Sequence, residues 1–264
     1  MNVRFRTARR VALCAGALLA MASHWQVAAQ GQGGRGGAAP PPRTPQAAAP
    51  EDLTGYWVAL VTEDWRWRMV TPPKGDVASI PLNPAGREAA NAWDPAKDEA
   101  AGNQCKAYGA AAIMRVPTRL HITWKNENTL QIDTDAGKQT RELHFGAEPA
   151  PTGEAGWQGY SAASWDSPGG RGGGRGGPPA GGSLKVVTTH MKPGYLRKNG
   201  VPYSGNAVVT EYMDRTNEPD GLSYLIVTTI VDDPQFLTQP FVTSTHFKKQ
   251  ADAAGWNPTP CEAR

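Results

Sequence analysis

The feature that most limits this fold is a succession of short β-patterned runs with almost no helix between them. Runs rich in Val, Ile, Thr and aromatic residues fall at 53–60, 62–70, 118–124, 129–135, 140–145, 157–165, 183–191, 207–214, 222–232 and 241–248. In 62–70 the alternation is strict: Trp65, Trp67 and Met69 share one expected face, and Asp64, Arg66 and Arg68 the other. Most runs are joined by turn chemistry such as Asp135-Ala136-Gly137-Lys138. A parallel α/β sheet needs a helix in each crossover, so about ten such strands predict one mainly β, antiparallel barrel. Helix signals cluster in a single excursion over 84–101, where Asn83-Pro84 and Asp94-Pro95 each pair an N-cap residue with a first-turn proline.

The N-terminus reads as an export signal. Arg4, Arg6, Arg9 and Arg10 precede an apolar stretch at 11–21, and Val27-Ala28-Ala29 supplies small residues for cleavage after Ala29. The apolar stretch is too short to span a bilayer. Both the ordinary unfolded route and twin-arginine export stay open, because Arg9-Arg10 is present while Val11, Ala12 and Leu13 match the second signal poorly. The expected location is periplasmic or secreted. Cleavage removes four Arg and no acid from 27 basic and 24 acidic residues, leaving 23 against 24. A near-neutral mature chain gives no electrostatic reason to expect a nucleic-acid partner.

Residues 30–50, rich in Gly, Pro and Ala, cannot bury enough apolar surface to offset ordering and read as a disordered linker. The β domain is expected over 51–264, with a second Gly-rich segment at 167–182 read as a loop insertion between two strands. Cleavage leaves two cysteines, Cys105 and Cys261. Neither has a CxxC or His neighbour, so in an oxidising compartment the simplest expectation is a disulfide. It would close a loop of roughly 155 residues, worth about 5 kcal/mol at most on chain-entropy reasoning.

Gly55-Tyr56-Trp57 resembles the Gly-x-Trp opening of lipocalin-type barrels. A wider likeness spans roughly residues 50–261. It is carried by Cys105, Pro117, Arg119, Trp157-x-Gly159-x-Ser161-x-x-x-Trp165, Thr210-Glu211, Arg215, Thr228-Thr229, Asp233-Pro234 and Pro240. In these residues the chain resembles a large group of exported bacterial hypothetical proteins with a lipocalin-like β-fold. The resemblance implies export and a lipocalin-like antiparallel barrel, and carries no activity with it. The Gly-rich insertion after Asp166 departs from the group's short acidic turn.

The mature histidines, His121, His144, His190 and His246, lie in separate β-runs with no HxH or HExxH spacing, so no metal site is expected. No GxSxG elbow, P-loop or dinucleotide fingerprint occurs, and no cofactor is expected. The densest polar and aromatic stretch runs from 183 to 215. Within it Tyr195, Arg197, Lys198 and Tyr203 are candidates for a lid over the barrel mouth that binds an anionic or phenolic group. Arg66, Trp67 and His121 are candidates for the ligand wall. The expected function is binding of a small, partly apolar molecule in the barrel. The alternative is a cofactor-free acid–base enzyme (isomerase, cyclase or lyase) with Glu211 or His190 as base. The expected partner is thus a small-molecule ligand or substrate, with no membrane span.

Overall fold

The computed structural model describes residues 43–146, 151–166 and 182–264. The signal at 1–29, the linker up to residue 42 and the Gly-rich segment at 167–181 lie outside the described residues. The described residues form eleven strands: β1 (Gly55–Leu60), β2 (Arg119–Asn126), β3 (Thr129–Thr134), β4 (Thr140–Phe145), β5 (Tyr160–Asp166), β6 (Ser183–Thr189), β7 (Gly194–Arg197), β8 (Val201–Tyr203), β9 (Val208–Asn217), β10 (Ser223–Asp232) and β11 (Phe241–Gln250). Nine close into a barrel in the order β1-β11-β10-β9-β6-β5-β4-β3-β2, while β7 and β8 pair only with each other.

Three expectations need correction. The barrel has nine strands, not about ten, and it is mixed: β4 and β5 run parallel, with Leu143 opposite Ser161. Parallel neighbours need a connection that returns the chain to the end it left. The run at 62–70 is no strand. Asp64 adopts a left-handed conformation (φ 53°) and a four-residue helix, α1 (Trp65–Arg68), follows. The change of period from 2 to 3.6 turns Arg68 inward, to 8% exposure, and leaves Trp65 63% exposed.

The helical excursion forms as its caps specify. In α2 (Pro84–Ala92) the Asn83 side chain accepts from the Gly86 amide at 2.9 Å, and in α3 (Pro95–Ala100) Asp94 accepts from Ala96 at 3.1 Å. Two 3₁₀ turns, Gln104–Tyr108 and Ile113–Arg115, lead back to the barrel. Along β10 burial alternates over nearly the whole length, in a Val-, Ile- and Thr-rich sequence suited to a pleated sheet.

Two apolar cores result. Trp57, Leu120, Ile132, Leu143, Met213 and Phe247 belong to the barrel core. The second core joins Val209 and Val231 of β9 and β10 to Leu82, to Ala90 of the excursion and to Leu196 and Tyr203 of β7 and β8. The β7–β8 hairpin therefore packs on the barrel strands through its own apolar face. Its turn requires Gly200, which has φ +83° and lies where a Cβ would sit 2.1 Å from the Trp93 ring. Within the segment read as linker, residues 43–50 make a turn whose Pro45 carbonyl accepts the Trp165 indole N–H at 2.9 Å. Cys105 and Cys261 are at disulfide distance, with Cα atoms 5.1 Å apart. No helix among the described residues is long and apolar enough to cross a membrane.

Candidate functional site

Among the described residues, buried arginines lie in two separate places. The first is inside the barrel. Glu211 on β9 sits between Val209 and Met213, inward positions of the two cores, and is fully buried. Arg141, directed inward from β4, binds it bidentately: Nη1 to Oε1 at 3.1 Å and Nη2 to Oε2 at 2.6 Å, with neither side chain exposed. The Thr188 hydroxyl lies 3.4 Å from Arg141 Nη2 and 2.8 Å from the Ser161 hydroxyl. Two charges in this fork geometry satisfy one another in a low-dielectric interior. The Glu211 carboxylate is thus committed to a guanidinium and sealed from solvent. His190, the other candidate base, stands at the end of β6 with φ 57° and donates from Nε2 to the Gly153 carbonyl at 2.7 Å. No hydrogen bond or ion pair joins it to Glu211 among the described residues.

The second place lies outside the barrel wall. A cavity of about 280 Å³ is lined by α1 and residues 69–71, the 3₁₀ turns, β7, Ala136 and the C-terminal segment around Pro260. None of its lining residues belongs to a barrel strand. Its walls include Trp67, Val70, Val116 and Leu196. Its charged lining is four cations, Arg68, Arg115, Arg197 and Lys198, against one carboxylate, Glu262.

The local fold builds each of these positions. The β7–β8 hairpin is held to the preceding loop by Asn199, whose amide donates to the carbonyls of Pro73 (3.1 Å) and Asp76 (2.9 Å). That fixes Arg197 at a register irregularity of β7, with its guanidinium carbon 4.8 Å from the Trp67 ring centroid. Arg68 donates from Nε to the Arg115 carbonyl at 2.9 Å and from Nη1 to Glu63 at 3.2 Å, and its Nη2 has no hydrogen-bond partner among the described residues. Arg115 pairs with Asp64 at 3.0 Å. Arg197 is 4% exposed, and among the described residues none of its three guanidinium nitrogens has a partner.

The electrostatics follow from this crowding. Burial, then the Arg115 cation, pulls Arg197 down to about 10, with Asp64 and Asp76 opposing. Burial also lowers Arg68, against the pull of Glu63. Arg197 remains cationic at neutral pH. The cysteine pair closes the same cavity: Ala107 and Tyr108 follow Cys105, and Pro260 and Glu262 flank Cys261. Thr259 is tied to the β3–β4 turn through its amide, which donates to the Asp135 carbonyl at 2.9 Å.

The sequence candidates divide among different surroundings. Trp67, Arg197 and Lys198 share the cavity. Arg66 is outside it, exposed and paired with Asp76 at 3.3 Å. His121 faces outward from β2 and stacks on Tyr56 at 4.1 Å. Tyr195 donates to Asp98 at 2.7 Å beside Lys106; burial, then that bond, raises its phenol. Tyr203 is sealed in the second core, where burial raises its phenol too. Arg68 and Arg115 were not singled out from sequence. Arg68 read as an outward strand position, and no local pattern marks Arg115 as one of three guanidinium groups around one cavity. Arg141 was missed as well, since inward Arg on an alternating strand has the same spacing as inward Leu. Among the described residues no group of three or more His, Cys, Asp or Glu is placed to hold a metal ion.

Fold and site together define a closed, mixed β-barrel that carries an arginine-lined pocket on loops outside its wall. No family model, no curated protein and no solved structure matches the chain.

Proposed function

We propose that this chain is an exported binding protein whose pocket at Arg197 and Trp67 holds a small, partly apolar organic anion. One observation carries the reading: a guanidinium that is 4% exposed, lines a cavity and has no partner for any of its nitrogens among the described residues. An unpaired charge so placed costs several kcal/mol, and an anion accepting its hydrogen bonds recovers much of that cost. The volume lies just below the usual range of about 300–1,000 Å³ for ligand pockets, which suits a small molecule. Trp67, Val70, Val116 and Leu196 offer apolar surface for the rest of it. On this reading the barrel is lipocalin-like in being a rigid β-scaffold, and differs in holding its ligand against the flank.

The test is thermal unfolding and calorimetric titration with small organic anions and their neutral amide analogues. Anions are expected to raise the melting temperature and amides to leave it unchanged, since a ligand at a hundred times its Kd adds about 2.7 kcal/mol. The Arg197→Gln variant should lose the anion response. If no anion shifts the melting temperature, or if Arg197→Gln responds as the unaltered chain does, the reading fails.

A further inference from the structure

The charges around the pocket specify more than its sign. Each arginine there other than Arg197 has a carboxylate to match it. Arg66 pairs with Asp76 at 3.3 Å, Arg68 with Glu63 at 3.2 Å, and Arg115 with Asp64 at 3.0 Å. At the rim, Lys198 donates to the Arg264 carbonyl at 3.3 Å, and Glu262 lines the same cavity. Of the three buried arginines on the cavity, Arg197 is the one with no carboxylate within ion-pair distance among the described residues. The buried cluster therefore carries one uncompensated positive charge.

A ligand of charge −1 balances it. A ligand of charge −2 leaves a net negative charge in a poorly hydrated site and pays a larger desolvation penalty to enter. The geometry of the donor matters too. A free guanidinium edge presents two parallel N–H groups that match the two oxygens of a planar carboxylate, and Arg68 Nη2 is a further unpartnered donor on the same cavity. We infer that the ligand is a monocarboxylate with an apolar body, recognised in preference to a phosphate monoester: Arg197 forks the carboxylate while Trp67, Val116 and Leu196 enclose the rest. This inference rests on the pocket being a ligand site.

Three probes of matched ring size separate the outcomes: benzoate, phenyl phosphate and benzamide, titrated calorimetrically into the full chain at pH 8. Benzoate is expected to bind at least about tenfold more tightly than phenyl phosphate, with no binding of benzamide. A phosphate monoester loses its second charge near about pH 6, so its affinity should rise between pH 8 and pH 5 while that of benzoate stays nearly flat. Arg197→Lys, which keeps the charge and loses the fork, should weaken benzoate by about tenfold. Phenyl phosphate binding as well as or better than benzoate at pH 8 overturns the monocarboxylate assignment and leaves the anion pocket standing. Failure of both anions overturns the pocket reading itself. The ligand series uses the unaltered chain, so it decides the matter even if a variant folds poorly.

Discussion

Arg141 and Arg197 are both buried arginines, and the fold surrounds them in opposite ways. Arg141, at 0% exposure, is forked onto Glu211 with a threonine hydroxyl alongside. Arg197, at 4%, has an aromatic ring on one side, a cavity beside it and no partner for its nitrogens among the described residues. Burial alone therefore does not mark function. A satisfied charge inside a filled barrel fixes how strands meet, whereas an unsatisfied one at a cavity leaves interaction energy that, on the proposed reading, an entering anion takes up. The supports differ as well. Arg141 stands on a barrel strand, where register sets its direction. Arg197 stands on a small hairpin held by Asn199 and backed by segments joined through Cys105 and Cys261.

The comparison breaks most readily at Glu211. Glu211→Ala leaves Arg141 buried and unpaired, and we predict a stability loss of about 3–5 kcal/mol in urea unfolding. The double change Arg141→Met with Glu211→Leu should recover most of that loss. A Glu211→Ala variant within about 1 kcal/mol of the unaltered chain would mean the pair is not the structural element assigned to it.

Next in size is the cysteine pair. Replacing Cys105 and Cys261 with Ser should cost about 2–4 kcal/mol. Because the C-terminal segment walls the pocket, the change should also weaken anion binding under conditions where circular dichroism still reports a folded barrel. Unchanged affinity in the folded variant would separate the disulfide from the site.

A smaller change in stability is expected at Arg197. Arg197→Met removes an unpaired buried cation, so stability without ligand should change by no more than about 1 kcal/mol, in either direction, while anion binding is lost. Thermal unfolding with and without benzoate checks both halves. A loss as large as that of Glu211→Ala would show that Arg197 is a structural partner after all.

The smallest effect concerns Tyr203. Burial raises its phenol above the ordinary value of 10.0. A group raised in the folded state contributes stability that is complete below about pH 10 and falls as pH climbs beyond it, because the unfolded chain ionises first. Tyr203→Phe removes that term and, since the hydroxyl has no partner among the described residues, should cost little at pH 7. The slope of stability against pH above 10 should become shallower, by at most about 1.4 kcal/mol per pH unit. An unchanged slope assigns the alkaline sensitivity elsewhere, Tyr195 being the other phenol raised by burial.

Several particulars show where sequence reasoning reached and where it stopped. The Val-, Ile- and Thr-rich run of β10 and the caps at Asn83 and Asp94 are local signals, and the elements they predict are present. The stretch 62–70 shows the limit. Its alternation is strict, yet a left-handed Asp64 starts a helical turn instead, because the chain has already left the sheet at Leu60. The same error hid Arg68, whose direction depends on a period of 3.6 rather than 2. The parallel pairing of β4 with β5 leaves no mark in either strand, since each reads the same way whichever direction its neighbour runs.

By itself the sequence determined that this chain must be mainly β, with one capped helical excursion, because periodicity, caps and turns act over a few residues. Only the tertiary structure decided that two arginines with equally unremarkable neighbours meet opposite fates. Whether a guanidinium finds a carboxylate depends on segments far apart in the chain: Arg141 meets Glu211 across 70 positions, and Arg197 meets Trp67 beside a cavity that no single segment encloses. Charge compensation is a property of three-dimensional neighbourhoods, and at Arg197 that neighbourhood is one negative charge short.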